Sequence, residues 1–176
     1  MKTIIYVSDK IRKSYKKLSV NELPDKREMQ SHQNSWNAHY VVIFGKRCWV
    51  VTHSITRYTV IVPDVKADKL ANFRYFFLDN MINQLIRKHL VDPNKIQGFI
   101  GDIEFFPTNG DRSCIAFINK RIEDIEYWKY KVENFEDFPF WTMASNFNDL
   151  GSKRIDGKRT YIRPNQEMLT LIDECA

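Results

Sequence analysis

The sequence predicts an α+β fold: a mostly antiparallel sheet of about five strands with two long amphipathic helices packed on it, followed by a C-terminal hairpin and a short helix. The length of 176 residues suits one domain. Residues 40–62 contain three β-branched, apolar runs separated by turn signals. Two longer segments carry apolar residues every three or four positions, which is the periodicity of a helix with one buried face.

The N-terminal half is predicted to begin with a strand and a short helix. Residues 3–7 are β-branched and aromatic, as is typical of a strand. Ser8 or Asp9 then supplies an N-cap for a helix that continues to about Leu18. The three runs that follow predict an antiparallel meander. Because these runs are almost continuously apolar, we expect strands that are covered on both faces at least in part, with helices packed on the sheet.

The two long helices are predicted over about 67–90 and 113–135, both on one side of the sheet, with a strand at 103–106 between them. The pair Asp156-Gly157 favours a tight hairpin turn, and Pro164 favours the start of a final helix over 165–174. We therefore expect a single domain, with a core of residues 1–135 and an appendage of residues 136–176 packed on it.

Composition and cysteine spacing narrow the class of protein. With 43% hydrophobic and 14% aromatic residues, the chain is too apolar to be disordered. Its three cysteines are far apart and lack zinc-ligand spacing, and the sequence has no glycine-rich nucleotide loop. No apolar run approaches the length of a membrane span or of a signal peptide core. We expect a cytoplasmic protein with no metal, no cofactor and no membrane association.

The junction between the strand at 103–106 and the second long helix is the first candidate site. A helix start leaves backbone N–H groups unpaired, and these groups bind either a side-chain cap or an anion. A guanidinium and two hydroxyl groups beside them favour an anion. The candidate anion-binding residues are Thr108, Asn109, Arg112 and Ser113. The alternative is that polar residues of this turn cap the helix, while Arg112 pairs with a neighbouring acid.

The net charge of +5 is concentrated in two segments. Residues 1–47 contain ten Lys and Arg against four acids, and a second basic run lies in the predicted C-terminal hairpin. Clustered positive charge favours phosphate contacts, and Tyr161 and Trp141 offer rings for stacking. The candidate nucleic-acid-binding residues are Lys10, Lys13, Lys17, Lys153, Arg154, Lys158, Arg159 and Arg163. The alternative is that both segments are solvated faces that maintain solubility.

Two further hypotheses concern an enzyme and an interaction module. His53 at a strand end, with Arg57 and Arg112, offers groups for acid-base chemistry on a phosphorylated or nucleic-acid substrate. The aromatic residues between 127 and 141 predict a packing cluster, and any exposed part of it would suit a protein partner or a second copy. The leading hypothesis is a non-enzymatic accessory or regulatory protein that binds an anionic partner such as nucleic acid. Whether the protein is an enzyme is left open by the sequence.

The order of elements and the turn residues resemble a small family of uncharacterised bacterial proteins, a domain of unknown function with a Trp-led β-meander and an Asn/Arg/Ser strand-to-helix turn. The resemblance covers roughly residues 1–125, and the chain departs from it by inserting Gly110-Asp111 in the turn. The resemblance supports the fold and implies no activity. The matching residues are Trp36-Asn37-Ala38-His39, Val62-Pro63, Thr108-Asn109, Arg112-Ser113 and Asn119.

Overall fold

The computed structural model of the chain describes residues 2–23, 32–88, 91–155 and 158–175. Five strands form one sheet in the order β4-β3-β2-β1-β5. Strand β1 pairs in parallel with both β2 and β5, whereas β2, β3 and β4 form the expected antiparallel meander. The α+β class is confirmed, and the sheet is mixed. The strands are β1 (Lys2–Val7), β2 (Ser35–Ile43), β3 (Lys46–His53), β4 (Thr59–Val62) and β5 (Asp102–Pro107).

The helices and the C-terminal hairpin follow the predicted order, with two additions. Helices α3 and α5 were not predicted. At α3, Pro93 occupies the first turn behind the capping carboxylate of Asp92, so this proline begins a helix as well as following one. The elements are α1 (Asp9–Ser14), a 3-10 helix (Ala67–Asn72) leading into α2 (Phe73–Lys88), α3 (Pro93–Phe99), α4 (Arg112–Lys129), α5 (Phe140–Asp149), β6 (Gly151–Ile155), β7 (Lys158–Ile162) and α6 (Pro164–Cys175).

Several predicted boundaries shift. The first helix ends at Ser14, before Leu18, and α4 ends at Lys129, before the predicted limit of 135. The predicted end of α2 at 89–90 and the hairpin turn Asp156-Gly157 lie outside the described residues. The hairpin itself is confirmed by the antiparallel pairing of β6 and β7.

The two long helices pack on opposite faces of the sheet, so the expectation that both lie on one side is wrong. On the first face, Phe73 and Phe77 of α2 join a core with Trp36 and Trp49. On the second face, α4 buries Cys114, Ile118 and Ile125 in a cluster with β2 and β3. The reason lies in the strands. Consecutive residues such as Tyr40 and Val41 are both buried, which requires cover on both faces.

The remaining helices complete the two layers. Helices α1, α3 and α6 contribute buried side chains to the first-face core, and α5 contributes to the second-face cluster. Asn148 of α5 binds edge strand β4 directly, because its amide accepts from Thr59 N at 2.7 Å and donates to Thr59 O at 2.8 Å. Within the described part of the chain, the helices are all too short or too polar to cross a bilayer.

Candidate functional site

A groove of about 860 Å³ lies between α4 and the β6–β7 hairpin. Its walls bring the predicted anion-site residues Arg112 and Ser113 together with Lys153 of the second basic segment. We call it the basic groove, because its lining carries four cationic side chains and one carboxylate. The charged residues are Arg112, Lys120, Arg121, Lys153 and Asp124, and the larger apolar or aromatic ones are Phe117, Leu150 and Tyr161.

The turn before α4 is a helix cap. Asp111 Oδ1 accepts from Cys114 N at 3.0 Å, which makes Asp111 the N-cap residue. Asn109 Oδ1 accepts from Asp111 N at 3.0 Å, and Thr108 Oγ1 accepts from Gly110 N at 3.3 Å. Gly110 has a φ of 73°, in the left-handed region that glycine tolerates. Thr108 and Asn109 thus stabilise the turn.

Arg112 differs from the capping residues around it. Its side chain is exposed, and within the described residues it makes no ion pair or hydrogen bond. Arg112 was expected to pair with a neighbouring acid. Arg57, and not Arg112, forms an ion pair with Asp111. The guanidinium of Arg57 lies 3.5 Å from Asp111 Oδ2, donates to Ser113 Oγ at 3.2 Å and also donates to Ser54 O. Arg57 is buried, and these contacts hold the start of α4 against the β3–β4 turn.

The other cations of the basic groove have protein partners. Lys120 Nζ lies 3.1 Å from Glu123 and 3.5 Å from Asp124, and Lys153 Nζ lies 2.7 Å from Glu167. Ion pairs that remain in contact with water stabilise a fold by only about 0–1 kcal/mol, so a phosphate group can compete for these lysines. Arg112 has no ion pair within the described residues that a phosphate group would have to displace.

Arg121 connects the groove to the C-terminal segment. Its guanidinium donates to Phe147 O at 3.3 Å and to Leu150 O at 3.2 Å, the carbonyls at the end of α5. Burial lowers the pKa of Arg121 while Asp124 opposes that shift, and the guanidinium stays charged at neutral pH. Because the hairpin begins at Gly151, these bonds fix the hairpin beside α4.

The groove continues toward exposed aromatic rings. A neighbouring hollow of about 430 Å³ shares Lys120, Arg121 and Asp124 with the basic groove and extends to Tyr127 and Trp128. Both rings are exposed. From Arg112 to Trp128 the helix spans about 24 Å, at roughly 1.5 Å per residue. One flank of α4 therefore carries cations at its start and rings at its end.

The first basic segment lies elsewhere. Helix α1 packs on the first face through Ile11, whereas α4 covers the second face, so the two basic segments do not share one surface of the sheet. Lys10 Nζ lies over the Tyr40 ring at 4.6 Å, and Lys13 and Lys17 are exposed. In the hairpin, Lys158 and the nearby Arg163 are exposed. The side chains of Arg154 and Arg159 lie outside what the structure describes.

The structure does not assemble the proposed catalytic group of His53, Arg57 and Arg112. His53 is fully buried on the first face, edge-on to Trp36 at 4.8 Å. Its Nε2 donates to Gln33 O at 2.8 Å, and its Nδ1 accepts from Thr56 N at 3.2 Å. Burial lowers its pKa to about 3. Both ring nitrogens are occupied, and the two arginines reach the second face.

The aromatic residues between 127 and 141 divide into three groups. Phe138 is buried in the second-face cluster with Phe135 and Phe140 packed against it, as expected of a core. Trp141 lies beneath the Arg87 guanidinium at 4.7 Å, away from the groove. Tyr127, Trp128 and Tyr130 are exposed at the end of α4.

Lys120 and Arg121 were not predicted as site residues, because both lie outside the two basic segments of the sequence. Lys120 follows Arg112 by eight residues, just over two helical turns, which puts both on one side of α4. The helical spacing of these cations is the sequence feature from which their common side of α4 could be predicted.

The chain belongs to a family described as a domain of unknown function, DUF6933, whose profile matches residues 4–167. This match confirms the resemblance to a domain of unknown function and extends it from β1 through the hairpin into α6. The basic groove lies within the matched residues. No curated protein matches the chain.

Proposed function

We propose that this member of the DUF6933 family binds single-stranded nucleic acid along the flank of α4, as a non-enzymatic accessory or regulatory protein. The observation that carries the proposal is the convergence of Arg112, Lys120 and Lys153 on one groove that leads to exposed rings. Cations engage the phosphate backbone, and aromatic rings stack on bases without regard to sequence.

A single strand suits this surface better than a duplex. Stacking on protein rings requires bases that are not already stacked in a helix. Tyr161 stands in the groove wall with 69% of its surface exposed, and Tyr127 and Trp128 are exposed farther along. A path of about 24 Å accommodates a few nucleotides, at the lower end of the roughly 4–16 nucleotides that one binding module covers.

The buried thiols favour binding over nucleophilic catalysis. Cys48 and Cys114 are both buried. Desolvation raises the pKa of each thiol to about 12, so neither forms a thiolate near neutral pH. His53 is also buried, and both of its ring nitrogens are occupied. The basic groove is therefore better supported as the functional surface than a catalytic site at His53 or at either of these thiols.

Replacing Tyr161 tests the stacking part of the proposal. Fluorescence anisotropy with labelled 12-nucleotide DNA and RNA strands should show tighter binding of each strand than of the corresponding duplex. Tyr161→Ala should weaken strand binding by about 1–3 kcal/mol, or roughly 5- to 150-fold.

The matched control is Tyr75→Ala, on α2, where the ring is 68% exposed on the other side of the sheet. This variant should bind as the wild type does. Equal losses in the two variants, or equal affinity for duplex and single strand, would refute the proposed mode.

A second candidate function is self-association through the end of α4. Tyr130 is 84% exposed next to Tyr127 and Trp128, and contiguous exposed rings are typical of interaction surfaces. Light scattering separates the candidates: a dimer that dissociates in Tyr130→Ser favours self-association, and a monomer at high concentration excludes it.

A further inference from the structure

A second cavity, of about 210 Å³, lies on the other flank of α4. It opens at the carboxyl ends of β1 and β5, where Ser8 and Thr108 follow the two parallel strands. On α4 it is lined by Ile115, Ile118 and Asn119. At about 100° per residue, each of these lies about 100° or more around the helix from Phe117 and Asp124 of the basic groove, and the two linings share no residue. The cavity is therefore separate from the basic groove.

The Tyr6 hydroxyl is the main reason to expect a ligand in this cavity. Tyr6 lines the cavity, and its side chain is only 2% exposed, with its ring 6.3 Å from that of Phe106. Its Oη makes no hydrogen bond within the described residues. A buried hydroxyl without a partner is unfavourable, and a ligand with an acceptor atom would satisfy it. Burial raises the pKa of Tyr6, so the hydroxyl keeps its proton.

His39 lines the same cavity. Its Nδ1 lies 2.8 Å from Tyr40 N and 3.0 Å from Tyr40 O, so this nitrogen is engaged by the backbone and Nε2 is the ring nitrogen left for a ligand. Burial lowers the pKa of His39, so the ring is neutral at pH 7. Thr108 adds a hydroxyl whose oxygen already accepts from Gly110 N, leaving its proton free to be donated. The cavity thus offers two uncharged hydroxyl donors and a neutral ring nitrogen.

The cavity suits an uncharged ligand. Neither lysine nor arginine is among its lining residues, and the one carboxylate, Asp9, is largely exposed and lies 3.3 Å from Arg12. Ile115, Ile118 and the ring of Tyr6 supply apolar walls. The volume is below the roughly 300–1,000 Å³ typical of drug-sized ligand sites. Apolar walls with donors at separate points match a small flat ring that carries acceptor atoms.

We infer that this cavity binds a small uncharged nitrogen heterocycle of the nucleobase class, with Tyr6 donating a hydrogen bond to it and His39 contacting it through Nε2. The inference does not rest on the proposed function of the basic groove, because the two sites use different residues on different flanks of α4. The base could come from a free nucleoside or from a nucleotide of a bound strand.

Ligand-observed NMR with the full chain tests the inference. The probes are adenine, uracil, adenosine and uridine, with inorganic phosphate as the anionic comparison. At least one heterocycle should bind, and phosphate should not compete with it. Tyr6→Phe removes only the hydroxyl, so it should weaken binding by roughly 2- to 13-fold, the range for one hydrogen bond. Tyr75→Phe, the same change on an exposed ring away from the cavity, should bind normally.

The same samples show whether the Tyr6→Phe variant folds and whether the heterocycle binds in the cavity or in the basic groove. Because Tyr6 Oη has no partner within the described residues, Tyr6→Phe should keep the thermal midpoint of the ligand-free protein or raise it. Binding of free heterocycles that survives Tyr161→Ala separates this site from the groove. No binding of any heterocycle at millimolar concentration, unchanged affinity in Tyr6→Phe, or displacement by phosphate would each overturn the inference.

Discussion

Asn148→Ala is expected to lower the free energy of unfolding by about 2–6 kcal/mol. The Asn148 side chain satisfies both Thr59 N and Thr59 O at a buried site, where α5 meets edge strand β4. Its removal leaves two buried backbone groups without partners, at about 1–3 kcal/mol each. Since α5 leads into the hairpin, the loss should also loosen the wall of the basic groove. Urea unfolding followed by circular dichroism measures the effect.

Asn146→Ala is the matched control. It makes the same substitution two residues earlier in α5, at an exposed position, and so carries the same change in helix propensity. The control should stay within about 0.5 kcal/mol of the wild type, as most surface substitutions do. Equal effects in the two variants would show that Asn148 does not attach α5 to the sheet.

Stability should fall as the pH drops from about 6.5 toward 3, because His53 is buried in its neutral form. Its pKa is lowered from 6.5 to about 3 in the folded protein, and burial is the main cause. Between these values the unfolded chain binds a proton that the folded chain excludes. Stability is therefore fully present above pH 6.5 and falls by about 1.4 kcal/mol per pH unit below it.

His53→Asn isolates this contribution, because asparagine keeps an acceptor and a donor without titrating. Urea unfolding at pH 7, 6, 5 and 4 should give a pH slope smaller than that of the wild type by about 1.4 kcal/mol per unit. The remaining slope comes from His39, whose pKa is also lowered, and from carboxylates. Identical slopes would contradict the burial of a neutral His53.

The parts of the fold that were predicted correctly have local patterns. The meander is visible in β-branched runs, and α2 and α4 in long apolar periodicity. Helices α3 and α5 are short, with 7 and 10 residues; α3 begins at Pro93 and α5 follows Pro139, and both prolines were interpreted as interruptions. The apolar runs of the meander predict cover on both faces, but they do not show which helix packs on which face. Strand β1 lies between β2 and β5. That pairing joins distant segments, and no local pattern reveals it.

The candidate site was predictable only in part for the same reason. Arg112 and Lys153 were each selected from local features, a helix start and a basic run. They meet because Arg121 binds the carbonyls of Phe147 and Leu150, which fixes the hairpin beside α4. The cap function of Asp111 could be expected from its position, but its ion pair with Arg57 required the tertiary fold. Tyr6 and His39 carried no sequence signal of a shared cavity.

The salt dependence of strand binding in two single variants tests the central claim most directly. Arg112→Gln removes a cation of the basic groove, and Lys13→Gln removes an exposed cation of the first basic segment. In titrations of a 12-nucleotide strand, Arg112→Gln should weaken binding and reduce the slope of log K against log salt by about 0.7–1. Lys13→Gln should leave the slope unchanged. A reduced slope in Lys13→Gln alone, or no strand binding by the wild type, would contradict the account.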